Sequence, residues 1–111
     1  MKIIITATLF INTDKRSVLL DQLTPDILKV RKQTGCVRYE WAADGADETQ
    51  INVLEEWEDA PALDGHFAGE NFAKIVGIIG TDDIIIMSAR KYGFSNEAPV
   101  FNTQGKPSSS F

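Results

Sequence analysis

The residues with most chemistry to offer are Glu55, His66, Tyr39 and Trp57, all lying between Gly35 and Phe72. His66 is the only histidine, so no multi-histidine metal site can form. Its ordinary pKa of roughly 6.5 suits it to moving protons near neutrality. Glu55 alternates with Val53 and Trp57 on what should be the enclosed face of a strand, where a carboxylate needs a donor. His66 is the best donor in view, and a Glu55–His66 pair would raise the histidine's pKa and hold its ring. Tyr39 brings a phenol, and Trp57 an indole able to stack on a flat ring and donate one hydrogen bond. Val53, Leu63 and Phe67 supply apolar walls. A plainer reading stands beside each role: His66 as a hydrogen-bonded structural histidine, Trp57 as a plug at the strand-to-helix corner.

These groups must be positioned by the elements around them. Ile3 to Ile11 is rich in β-branched residues and reads as a first strand. Leu20, Leu23, Ile27 and Val30 step by three and four, as an amphipathic helix requires. The stripe keeps its phase across Pro25, which predicts one kinked helix rather than two. Gly35 ends it in a left-handed position. Val37 to Ala42 is the second strand, with Val37, Tyr39 and Trp41 on one face and Arg38 and Glu40 on the other. Arg38 is placed to bridge Glu56 or Glu58. Asp44-Gly45 marks a turn into a third strand, Ile51 to Trp57, antiparallel to the second. Asp59 caps a helix with Pro61 in its first turn, and Gly69 breaks it. Phe72, Ile75, Val76 and Ile79 continue as a short helical piece, and Asp82 to Ala89 forms a fourth strand.

The order β-α-β-β-α-β predicts an α+β, ferredoxin-like fold: an antiparallel sheet with helices on one face. Ile3-Ile4-Ile5 and Ile84-Ile85-Ile86-Met87 are apolar on both alternating faces. A second copy related by a twofold axis would cover the helix-free face, so a homodimer is expected. After Tyr92 the composition turns to Gly, Ser, Asn and Pro. The expected division is a domain over 1–92 and a tail over 93–111, anchored by Phe94, Val100 and Phe101 on its own subunit or the partner, with a mobile end.

A chain of 111 residues suits one domain. Its net charge of -5 argues against a nucleic-acid partner. Lys29, Arg31 and Lys32 cluster where they complement a helix C-terminus. The single cysteine, Cys36, excludes an intramolecular disulfide and a cysteine-rich metal cage, and fits a reducing, cytoplasmic setting. The N-terminal apolar run lacks a cleavage site and is too short to span a bilayer, so no membrane role is expected. No metal or cofactor is expected either. Gly65, Gly69, Gly77 and Gly80 show no phosphate-loop spacing.

The run GCVRYEW, the sequence Glu55-Glu56-Trp57-Glu58-Asp59 and the Leu63…His66-Phe67…Phe72 helix resemble the antibiotic-biosynthesis monooxygenase domain family, over roughly residues 1 to 92. The resemblance implies a dimeric α/β barrel with a pocket in each subunit between sheet and helices, here at Tyr39, Trp41, Val53, Glu55, Trp57 and His66. It also implies cofactor-independent monooxygenation of a small aromatic or quinol-like compound. His66 paired with Glu55 would be the base, and Tyr39 and Trp57 would orient the ring. Val53 and Leu63 stand where the biosynthetic members carry asparagine and tyrosine. Thr6 or Thr8, His66 and Val76 stand where haem-degrading members carry asparagine, tryptophan and histidine. Two other functions suit the same fold: isomerisation of a small carbonyl compound, and a non-catalytic, ligand-binding or stress-associated dimeric module.

Overall fold

A computed structural model describes residues 1–80 and 84–111. Asp82 and Asp83, expected at the start of the fourth strand, lie outside the described residues. The elements run β1 (Lys2–Phe10), α1 (Thr13–Val30), β2 (Cys36–Ala43), β3 (Gln50–Trp57), α2 (Ala60–Ala68), α3 (Glu70–Ile79) and β4 (Ile85–Phe94). The four strands form one antiparallel sheet in the order β2-β3-β1-β4, the ferredoxin-like order. The core lies between this sheet and the helices, around Leu9, Leu19, Leu23, Val30, Ile51 and Trp57.

Residues paired across strands share a face, so the register can be read as rows. On the helix-covered side these are Tyr39–Glu55–Ile5–Lys91 and, one step along, Trp41–Val53–Ala7–Ala89. The outer face carries Arg38–Glu56–Ile4–Tyr92 and Glu40–Leu54–Thr6–Arg90. That face is mixed rather than apolar. Alternation sends Ile3 and Ile5 inward, and only Ile4 of the isoleucine run points out. Arg38 Nε lies 3.7 Å from Glu40 on its own strand, an exposed pair, instead of bridging Glu56 or Glu58.

Local chemistry accounts for the boundaries. Pro25 sits inside one uninterrupted helix, where the Thr24 hydroxyl donates to the Leu20 carbonyl at 2.8 Å. Asp59 caps α2 by accepting from the Ala62 N–H at 2.8 Å. Gly35 adopts φ 76°, and a Cβ there would collide with the Ala62 side chain, so both conformation and space demand glycine. Arg31, at the C-terminus of α1, donates to the Tyr39 carbonyl at 2.8 Å and ties helix to strand. Arg16 braces the β2–β3 turn by donating to the carbonyl of Asp47 at 2.8 Å. Asp26 and Asn71 hydrogen-bond at 3.0 Å between α1 and α3, a buried polar contact that no spacing rule announced.

Two strand expectations change. A bulge shifts the register between Cys36 and Arg38, so Val37 is half exposed and does not share the face of Tyr39 and Trp41. The fourth strand begins at Ile85 and runs through Phe94. Beyond it, the residues after Pro99 fold on themselves. Phe101 bridges Pro107, and Asn102 accepts from the N–H groups of Gln104 and Lys106, both at 3.0 Å. Val100 and Phe101 are 65% and 61% exposed, so neither anchors the tail on its own subunit.

Candidate functional site

A pocket of about 620 Å³ opens between the sheet and the helices α2 and α3. Its floor is Ile5, Ala7 and Leu9 of β1 with Val53 and Glu55 of β3, all set on one face by the two-residue period of a strand. Trp41 closes one side. Phe67 of α2 and Phe72, Val76 and Ile79 of α3 form the roof. Along β4, Ile86, Ala89 and Lys91 complete the wall. Apolar, aromatic surroundings with few polar groups are usual for a small-molecule site.

Glu55 is the one carboxylate in that wall, and it is 9% exposed. Burial raises its pKa, opposed by a hydrogen bond from the Trp57 Nε1–H to Glu55 Oε1 at 3.0 Å. No other described residue donates to this carboxyl group, which leaves Oε2 available to a ligand.

The expected Glu55–His66 pair does not form. His66 is 2% exposed and its Nδ1 lies 2.9 Å from Gln33 Oε1, a geometry in which the ring donates to the amide. It stacks on Trp57 with centroids 4.8 Å apart and meets Tyr39 and Phe72 edge-on. The residue borders a different cleft, of about 600 Å³, with Gln33, Gly35 and Asp59. Burial lowers its pKa to about 4 instead of raising it. The reason is steric: the Trp57 indole takes both the carboxylate and the imidazole as neighbours.

Of the residues named from the sequence, the pocket unites Trp41, Val53, Glu55 and Phe67. Tyr39, Trp57, Leu63 and His66 lie behind it in the core and do not line it. The Trp57 N–H is already committed to Glu55 and cannot also serve a ligand. Burial pushes the Tyr39 phenol well up, with the Trp41 indole opposing. That indole N–H approaches the Tyr39 side chain yet closes no well-formed hydrogen bond, and is buried without a partner. Desolvation also raises the Cys36 thiol, and the Glu55 charge adds to it, which suits a structural cysteine rather than a nucleophile.

The depressed His66 pKa makes a testable statement about stability. Folding opposes protonation of this ring, so its contribution is complete above pH ~6.5 and is lost as pH falls toward about 4. The loss amounts to about 2–3 kcal/mol by pH ~4.5. Wild type should therefore show a lower urea midpoint at pH ~4.5 than at pH ~7, and His66→Phe should remove most of that difference. A difference of the same size in the variant would assign the acid sensitivity to another group.

Residues 2–77 match the antibiotic biosynthesis monooxygenase family model. The chain belongs to that family. Members of the antibiotic biosynthesis monooxygenase family generally assemble as dimers. No curated protein matches the chain in sequence. Among solved structures, a candidate antibiotic biosynthesis monooxygenase from Deinococcus radiodurans superposes with TM-score 0.81 at 16% identity, covering 90% of this chain and 99% of its own. Rv0793 from Mycobacterium tuberculosis gives 0.76 at 21% identity, over 89% of this chain and 100% of its own. A conserved protein from Methanosarcina mazei Go1 gives 0.74 at 22% identity, over 83% and 91%. At these identities the superpositions speak for a shared fold. Within the family fold, Phe72, Val76, Ile79 and Lys91 are pocket residues that sequence reasoning had not assigned to the site. Helical spacing had already placed the first three on one face, whereas Lys91 emerges only from the β1–β4 register. No helix among the described residues is long and apolar enough to cross a membrane.

Proposed function

We propose that this protein is a cofactor-independent monooxygenase acting on a small aromatic or quinol-like compound, with Glu55 rather than His66 as its base. The observation that carries the reading is a lone, buried carboxylate in an apolar, aromatic-walled pocket. Burial makes Glu55 a stronger base than a solvated glutamate, and enclosure keeps the reacting anion from water. A phenolic ring lies between the Phe67 and Phe72 side and the sheet, with its hydroxyl on Glu55 Oε2. Glu55 takes the phenolic proton, and the resulting electron-rich anion reduces dioxygen. One oxygen atom bonds to the ring carbon, and the other leaves as water with two hydrogens from the substrate, so that a phenol becomes a quinone. His66, through its stack on Trp57, is a positioning residue: it holds the indole that holds Glu55. The 1–92 unit carries this chemistry, and a second copy pairs through the mixed outer face of the sheet, where Ile4, Leu54 and Tyr92 are the apolar contacts.

Oxygen consumption tests the reading. Purified protein with a panel of naphthohydroquinones should consume dioxygen above the rate of autoxidation, with one oxygen atom from labelled dioxygen recovered in the product. Turnover of a carbonyl compound without oxygen uptake would instead establish an isomerase using the same base. Binding without turnover of either kind would leave a ligand-holding module.

A further inference from the structure

The polar groups of the pocket are not scattered. Glu55 and Lys91 stand in one row of the sheet, on the same face, with Ile5 between them. Two strand spacings separate their backbones by about 9.6 Å. Arg90 apart, apolar residues fill the rest of the row's surroundings, with Phe67 and Phe72 above. Lys91 is exposed, and no described carboxylate forms an ion pair with it. An ammonium group without an ion-pair partner thus stands at the rim of an apolar cavity, where an anionic group of a ligand can meet it. Its four-carbon stem can lie along the apolar wall while the charge stays at the rim.

Resting on the reading of the pocket as a ligand site, we propose that it selects hydroxyaryl acids: aromatic molecules with a hydroxyl at Glu55 and an anionic substituent, on the far side of the ring, at Lys91. A ring one or two aromatic units wide spans the row between the two side chains. A neutral phenol satisfies Glu55 alone, and an aryl acid without the hydroxyl satisfies Lys91 alone. The second charge-assisted contact is what discriminates among ligands of equal apolar area. Arg90 also borders the pocket, but its register partner is Thr6 of the outer face, so it serves as the control for general attraction of anions.

The test is a fluorescence titration of the intact protein with 6-hydroxy-2-naphthoate and with 2-naphthol. Wild type should bind the acid about tenfold more tightly. Lys91→Met should bring the two within about twofold, Lys91→Arg should restore the preference, and Arg90→Met should keep most of it. Equal binding of acid and phenol by wild type would overturn the proposal while leaving the ligand pocket intact. A preference that survives in Lys91→Met, or that falls equally in Arg90→Met, would overturn it too. Failure of both compounds to bind would remove the pocket reading itself, and this proposal with it. Both lysine variants alter an exposed side chain, so unchanged thermal midpoints are expected and separate a lost contact from a lost fold.

Discussion

Glu55→Gln is expected to reduce the rate of oxygen consumption by about 10²–10⁴-fold, the usual contribution of a positioned base. The amide keeps the shape of the carboxyl group, and its oxygen can still accept from the Trp57 N–H. Stability should not fall with activity. Burial raises the Glu55 pKa, so the folded state disfavours the charged form that the unfolded chain adopts freely. The stabilising contribution of this group is full below the unfolded pKa of about 4.3 and disappears as pH rises through the higher folded value. At pH above the folded value the wild type carries a buried charge, and glutamine removes it. There the variant's urea midpoint should equal or exceed that of wild type. Loss of activity together with a large loss of stability would instead make Glu55 a structural residue.

Trp57→Ala should be the most destabilising single change at the site, costing about 3–5 kcal/mol. The indole is fully buried, stacks on His66 and donates to Glu55. Its removal opens a cavity and leaves a buried carboxylate without its only described donor. Against a total of about 5–15 kcal/mol for a domain, this loss is large. Trp57→Phe separates the two effects. It retains much of the packing, and without the N–H the Glu55 pKa should rise further, moving the rise of activity with pH to higher pH. A cost under about 1 kcal/mol for Trp57→Ala, measured by urea unfolding, would contradict the packing described.

The fold was legible because its signals are local. The period of the Leu20–Val30 stripe and the Asp59 cap each depend on a few neighbouring residues, and both held. Gly35 takes its left-handed conformation, but the helix ends earlier, at Val30, and the glycine serves the loop into β2. The Glu55 face was legible for the same reason, since alternation along β3 places Ile51, Val53, Glu55 and Trp57 on the buried side. Partners across elements were less accessible. His66 and Glu55 looked complementary in charge and proximity, yet Gln33, distant in sequence, reaches the imidazole, and Trp57 reaches the carboxylate. Which of two acceptors a buried donor meets depends on side-chain volumes packed in three dimensions, and a bulky indole between them decided it. The bulge at Val37 and the pairing that brings Lys91 beside Ile5 likewise arise from strand register, which hydrophobic pattern alone specifies loosely for the exposed edge strands β2 and β4.

A crystal structure of the anaerobic complex with a naphthohydroquinone would locate the chemistry directly. The ring should lie among Trp41, Phe67 and Phe72, with one hydroxyl within hydrogen-bonding distance of Glu55 Oε2. Ligand density in the cleft beside Gln33 and His66, with the Glu55 pocket empty, would contradict the assignment of Glu55 as base and return the site to the histidine.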